Sequence, residues 1–181
     1  MDTITPILLW YIDTPLGRMR MGASDEGICL FDFEYRRSID SIIKRIEALS
    51  GKKFTEGMHP HFELLQGQVN EYFAGTRKNF DLPLHLAGTL FQKSVWQGLL
   101  KIPYGETRSY KQQSITLGNE KAIRAVAGAN GENGIAIIVP CHRVIGKNGS
   151  LTGYGGGLER KKWLLDHESE YSGKSGQGAL F

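Results

Sequence analysis

The apolar positions of this chain change period near Ser38. Before it, Ile7-Leu8-Leu9-Trp10-Tyr11-Ile12, Arg18-Met19-Arg20-Met21 and Ile28-Cys29-Leu30-Phe31-Asp32-Phe33 are short strand-like runs. Pro15-Leu16-Gly17 and Asp25-Glu26-Gly27 separate them, which is the pattern of a meander. After it, Ile39, Ile42, Ile43, Ile46 and Leu49 share one helix face, closed by Gly51. Phe62, Leu65, Val69, Tyr72 and Phe73 mark a second helix that stops before Gly75. Residues 79–88, with Pro83 inside, read as a connector with one edge strand. Phe91, Val95, Leu99 and Ile102 form a third stripe ending at Pro103-Tyr104-Gly105. Ser109 caps a short helix from Tyr110 to Leu117, and Asn119 caps another over 120–130. Two helices joined by so short a turn, the second bearing Lys121 and Arg124, resemble a helix-turn-helix. The apolar run Ile135 to Val139 reads as a strand. A hairpin-like stretch, a glycine-rich loop (153–157) and a helix from Leu158 to about Glu168 follow.

At 181 residues, 40% of them hydrophobic, the chain can build one domain or two small ones. No apolar run approaches the ~18 residues of a membrane span. The opening Met1-Asp2-Thr3-Ile4-Thr5-Pro6 has no basic residue, so no secretory leader is expected. Cys29 and Cys141 give no disulfide framework, which points to a reducing cytoplasm. Charge changes the picture more: residues 1–86 carry −2 and residues 87–168 carry +5. A basic second half suits an anionic partner such as nucleic acid, although a solvated basic surface looks the same.

Candidate chemistry lies in that basic half. Pro140-Cys141-His142-Arg143-Val144-Ile145-Gly146 puts thiol, imidazole and guanidinium within three positions. Positive neighbours stabilise the thiolate, the nucleophilic form of cysteine. In an extended segment Cys141 and His142 point to opposite faces, so a bridging water or an outer-shell relay would have to connect them. Cys29, set in an apolar strand, reads as a small core residue. The loop Gly153-Tyr154-Gly155-Gly156-Gly157 lacks the Gly-Lys-Ser/Thr ending of a phosphate loop, and its glycines suit close backbone approach.

Pro140-Cys141-His142-Arg143-Val144 is similar to the active-site signature of the O6-alkylguanine-DNA alkyltransferases, or methylated-DNA–protein-cysteine methyltransferases. Arg124-Ala125-Val126-Ala127-Gly128-Ala129 resembles their recognition helix, and Asn133 stands eight positions before the cysteine, as theirs does. Pro103-Tyr104-Gly105-Glu106-Thr107, Ser109-Tyr110, Gly118-Asn119, Tyr154-Gly155-Gly156-Gly157-Leu158 and Lys162-Trp163-Leu164-Leu165-Asp166-His167-Glu168 follow in register, so the resemblance covers residues 90–168. It implies an α+β fold. A small ribonuclease-H-like α/β domain would occupy 1–86, a winged-helix-like domain containing the helix-turn-helix 87–168, and a flexible tail 169–181.

The resemblance further implies single-turnover transfer of a methyl or other small alkyl group from O6-alkylguanine, and from O4-alkylthymine, to Cys141. The damaged nucleotide of double-stranded DNA would first be flipped out, at a cost of a few kcal/mol. Glu168 would orient His142, His142 would take the thiol proton through a water, and Tyr110 would protonate the departing guanine. Arg124 would fill the vacated stack, while Ala125, Gly128 and Ala129 allow approach to the minor groove. Ile123 is bulkier than the alanine common at its position. Asn133, Pro140, Arg143, Val144, Tyr154, Gly155 and Gly156 would shape the pocket, with Arg143 structural rather than catalytic. The carbonyls of Cys141 and Val144 would accept from the guanine amino group, and at Gly155, where some relatives carry serine, only a backbone N–H could serve. Tyr110 as a packed aromatic and Arg124 as a phosphate contact are the plainer readings. No cofactor follows from this chemistry. Some relatives hold zinc in the first half, but Cys29 with His59, His61 and His85 lacks a second cysteine, so no metal is expected.

The tail ends Gln177-Gly178-Ala179-Leu180-Phe181 after a glycine- and serine-rich stretch. It resembles the Gln-x-x-Leu-Phe peptides that dock on the bacterial replication sliding clamp; an ordinary tail is the competing reading. The protein is otherwise expected to be a monomer. An alkyltransferase-like lesion-binding protein without transfer activity is the nearest alternative, and Cys141 argues against it. A Cys-His hydrolase would need an oxyanion hole, and a transcriptional regulator would need the helix pair alone.

Overall fold

Alternation over the first segment produces the meander. In the computed structural model, which describes residues 5–174, β1 (Ile7–Thr14), β2 (Gly17–Ser24) and β3 (Gly27–Phe33) pair antiparallel. Tyr11 faces Arg20 and Met21 faces Phe31 across the ladders. A strand too short to show a period, β4 (Phe54–Glu56), adds parallel to β1 and gives the order β3-β2-β1-β4. The expected edge strand of the connector reduces to one bridge, Ile28 to Leu84. There the Ile28 N–H donates to the Pro83 carbonyl at 2.8 Å and the His85 N–H to the Ile28 carbonyl at 2.8 Å. Proline is tolerated at such an edge because it only has to accept. Gly27 is required by this approach: its φ is +133°, and a Cβ there would fall 2.5 Å from the Pro83 oxygen.

Helix α1 (Ile39–Ser50) buries Ile39, Ile42 and Ile46 with Ile7, Cys29 and Leu30 of the sheet. Each isoleucine so buried contributes roughly 1.5–3 kcal/mol. Gly51 ends the helix in the left-handed conformation, its N–H donating to the Glu47 carbonyl. Helix α2 (Pro60–Phe73) begins with proline in its first turn, and the His59 Nδ1 accepts from the His61 N–H at 3.1 Å. Burial pushes the Cys29 thiol up to about 12, so it packs and does not react.

The chain divides into two compact units between Thr89 and Leu90. The second unit contains α3 (Leu90–Leu99), β5 (Arg108–Ser109), α4 (Tyr110–Thr116), α5 (Ile123–Gly131), β6 (Val144–Ile145) and α6 (Leu158–Tyr171). A capping box starts α4: Ser109 Oγ accepts from the Gln112 N–H at 3.1 Å, and Gln112 Oε1 from the Ser109 N–H at 2.8 Å. A 3-10 turn (Glu120–Ala122), capped by the Asn119 side chain, leads into α5. The buried amides of Gln113 and Asn130 bond reciprocally at 3.1 and 2.8 Å, locking α4 to α5.

Ile135 to Val139 is not a strand: it is a buried series of turns with Ile137 at φ 70°. An apolar run reports burial, and here Asn133 satisfies its backbone where a neighbouring strand would have done so. Helix α6 continues past Glu168 to Tyr171, so the tail does not begin at Ser169. The hairpin-like stretch is a turn after β6, which itself pairs parallel with β5. Among the described residues no helix is long and apolar enough to cross a membrane.

Candidate active site and helix-turn-helix face

Cys141 sits at the start of a 3-10 turn (Cys141–Arg143), half-buried, where the sequence suggested extended backbone. The turn is prepared by Asn133. Its Oδ1 accepts from the Ile135 N–H at 3.0 Å, and its Nδ2 donates to the Val139 carbonyl at 2.8 Å and to Cys141 Sγ at 3.3 Å. One buried amide thus shapes the backbone before the cysteine and supplies a donor to the sulfur.

His142 and Arg143 turn inward to Glu168 on α6. Glu168 Oε1 accepts from His142 Nε2 at 2.7 Å and from Arg143 Nη2 at 3.0 Å. Its Oε2 accepts from Arg143 Nε at 2.8 Å and from the Gly105 N–H at 3.2 Å. Arg143 Nη1 also donates to the Ile102 carbonyl at 2.7 Å. Burial pushes the Glu168 carboxyl up, but the opposing pull of His142 and Arg143 outweighs it and holds the group well below the usual carboxylate range. Gly105 must be glycine to lend its N–H: its φ is +76° and a Cβ would lie 2.6 Å from that of Ser172.

An ionised carboxylate can only accept, so His142 Nε2 carries the hydrogen and Nδ1 presents a lone pair. Burial holds His142 below its ordinary value; Glu168 opposes this, and Arg143 and Lys161 add to it. The ring is therefore neutral near pH 7. Its Nδ1 is buried with no hydrogen-bond partner among the described residues. That orphaned nitrogen is what a base needs to take a proton through a water.

Tyr110, Ala127, Asn130, Gly131, Cys141, Gly153, Tyr154 and Gly155 line a cleft of about 160 Å³ around the thiol. The Tyr110 hydroxyl donates to the Thr152 carbonyl at 2.9 Å. Burial raises its pKa, the Thr152 bond works against this, and the Cys141 charge adds to it, so the phenol keeps its proton. The structure thus brings Cys141, Tyr110, Tyr154 and Gly155 together, with His142, Arg143 and Glu168 behind them. Pro140, Val144 and Gly156 stand off the lining. The Gly156 carbonyl accepts from Arg160 Nη1 at 3.0 Å, the Cys141 carbonyl from the Val144 N–H, and the Val144 carbonyl from Lys161 Nζ at 2.6 Å.

Residue-by-residue reading missed Lys161. It is fully buried, and burial pushes its pKa down to about 8, with the charge of Cys141 opposing. Its signal was hidden because Arg160-Lys161-Lys162 reads as a solvated basic run. Asn130 and Gly131 were missed as pocket residues because they looked like the end of a helix.

A model of the 6-O-methylguanine DNA methyltransferase DNA binding domain matches residues 90–170, and one of that protein's ribonuclease-like domain matches residues 7–86. The chain belongs to the 6-O-methylguanine DNA methyltransferase family. It is 44% identical over 161 residues to the methylated-DNA–protein-cysteine methyltransferase of Methanosarcina barkeri, covering 87% of this chain and 94% of the relative. The constitutive methylated-DNA–protein-cysteine methyltransferase of Bacillus subtilis is 54% identical over 110 residues, 60% of this chain and 67% of its own length. The crystal structure of Mycobacterium tuberculosis OGT in complex with DNA is similar with a TM-score of 0.77 and 41% identity, covering 91% of this chain and 94% of that one. The two-domain α+β architecture is therefore that of the family.

Within this family member, α5 presents a stripe of small residues to solvent. Arg124, Ala125, Gly128 and Gly131 are exposed, and a Cβ at Gly128 or Gly131 would have nothing within 4 Å. Ala129 does not belong to that face. It is 5% exposed, and its carbonyl accepts from Trp96 Nε1 at 2.8 Å, because the rotation of about 100° from Gly128 to the next residue turns it toward α3. Among the described residues no group of three or more His, Cys, Asp or Glu side chains could hold a metal.

Proposed function

We propose that this chain repairs DNA by moving the alkyl group of O6-alkylguanine onto Cys141, once per molecule. The observation that carries the reading is the inward chain from His142 to Glu168. It leaves a neutral histidine with a bare, buried Nδ1 next in sequence to a half-buried cysteine. A water between Nδ1 and Sγ carries the thiol proton to the ring, and Glu168 stabilises the imidazolium that results. The thiolate then attacks the alkyl carbon. A sulfur–carbon bond forms, the carbon–oxygen bond to guanine breaks, and Tyr110 gives its proton to the leaving base. The phenolate regains a proton from water and the His142 imidazolium releases the thiol's proton to water, so thioether, base and both side chains end neutral. The thioether does not revert, so each molecule acts once.

The cleft admits a base outside the stack, so the nucleotide must be flipped. Arg124 fills the gap, a role that its exposure on α5 supports, and the bare surface of Gly128 and Gly131 lets the helix approach the groove. O4-alkylthymine presents a similar alkyl oxygen and enters the same cleft. A binding protein without transfer activity has no use for Cys141 or for the bare Nδ1.

Incubation with an oligonucleotide bearing labelled O6-methylguanine tests this. One equivalent of label on the protein, abolished by Cys141→Ala, is the expected outcome. Turnover beyond one equivalent, or label on another residue, overturns it. The residues Gln177, Leu180 and Phe181 lie outside those described. Their resemblance to clamp-docking peptides supports a partner role for the tail: deletion of 177–181 should abolish binding to the sliding clamp, and unchanged binding rejects it.

A further inference from the structure

Lys161 is a fully buried cation whose ammonium donates to three backbone carbonyls. Its Nζ donates to Val144 at 2.6 Å, Thr152 at 3.0 Å and Gly153 at 3.3 Å. Three protons thus meet three acceptors, and they tie β6 to Thr152 and the start of the glycine-rich loop. Burying an ammonium this way costs more folding free energy than a methionine of similar length would. The fold accepts that cost in the wall of the reactive cleft, which Gly153, Tyr154 and Gly155 line together with Tyr110 and Cys141.

The Thr152 carbonyl has a second donor. The Tyr110 hydroxyl bonds to it at 2.9 Å, and Lys161 Nζ lies 5.8 Å from the centre of the Tyr110 ring. A carbonyl oxygen has two lone pairs, so lysine and tyrosine share it. Whatever fixes that oxygen also fixes the resting place of the phenol.

We infer that Lys161 is a positioning residue for alkyl transfer: by clamping the Val144, Thr152 and Gly153 carbonyls it sets where the Tyr110 hydroxyl stands when the base enters. This rests on Tyr110 being the proton donor to the leaving guanine. Lys161 touches neither base nor sulfur in this role and acts through the phenol.

A double-mutant cycle on the full chain tests it, read by single-turnover transfer from an O6-methylguanine duplex. Lys161→Met should slow transfer on the order of tenfold or more, as misplacement of a reacting group does. Affinity for the same duplex, measured in a Cys141→Ala background, should stay within about twofold. In a Tyr110→Phe background, Lys161→Met should change the rate by less than about twofold, because the group it positions is gone. Lys161→Gln, which keeps two donors without the charge, carries the same cycle if the methionine variant does not fold by circular dichroism. A merely structural lysine slows transfer equally in both backgrounds, and that result, or no slowing at all, overturns the proposal. A slowed Tyr110→Phe with additive Lys161 effects removes the clamp alone. An unchanged Tyr110→Phe removes the donor role of Tyr110 and the clamp with it.

Discussion

Each unit of this protein buries an arginine against a carboxylate, and the two pairs differ in what they leave unused. In the first unit Arg36 Nη1 donates to Asp32 Oδ2 at 2.6 Å across one helical-length step of sequence, and Asp32 Oδ1 accepts from the Phe33 N–H at 2.9 Å. Every buried polar side-chain atom of that pair has a partner, and the result is a closed turn after β3. In the second unit Arg143 and Glu168 stand 25 positions apart and hold a third group, His142, which keeps one buried nitrogen without a partner among the described residues. A buried ion pair is weak evidence of a site, since structural pairs are equally buried. An unspent polar atom beside a nucleophile is stronger evidence, because burying it unpaired costs free energy that packing alone would have removed.

The largest expected effect separates the pairs by removing one carboxylate from each. Glu168→Gln and Asp32→Asn should each lose about 3–5 kcal/mol in denaturant unfolding, since both leave a buried guanidinium without its counter-charge. Only Glu168→Gln should slow alkyl transfer, on the order of a hundredfold or more, by unfixing the His142 tautomer. Equal slowing by Asp32→Asn would erase the distinction.

A smaller effect sharpens it through pH. Burial, against the pull of Glu168, holds His142 below its ordinary 6.5, so the unfolded chain takes up a proton there that the folded chain does not. Stability should therefore fall as pH drops through 6.5. Burial raises the Glu168 carboxyl, but His142 and Arg143 outweigh that and keep it ionised, so stability should fall again below the ordinary 4.5. Unfolding midpoints measured from pH 8 to pH 3 in wild type and Glu168→Gln check this. The step below 4.5 should shrink in the variant, and a midpoint that rises on acidification would contradict both signs.

Much of the fold was legible because period follows from burial of one face. The meander, α1, α2 and α3 appear where the spacing of Met19, Met21, Ile42, Leu65 and Val95 places them, and Ser109 and Asn119 mark helix starts through their own side chains. The run Ile135 to Val139 misled because continuous apolar sequence reports burial and says nothing of hydrogen-bond partners. The partner here is the Asn133 side chain, which no periodicity reveals. β4 was invisible because three residues carry no period, and its pairing with β1 is non-local.

The site divides the same way. Cys141, His142, Arg143 and Asn133 could be named from their order in the chain, and resemblance extended the reading to Tyr110, Arg124 and Glu168. Sequence by itself determined which chemical groups this protein has and their local spacing, since those are covalent facts. Tertiary structure decided which of them meet. It sent Ala129 inward, joined His142 and Arg143 to Glu168, and buried one lysine of a basic run behind the cleft wall while its neighbour Lys162 stayed in solvent. The physical reason is that hydrogen-bond and charge partners are chosen by proximity in space, and only the packed chain sets that proximity.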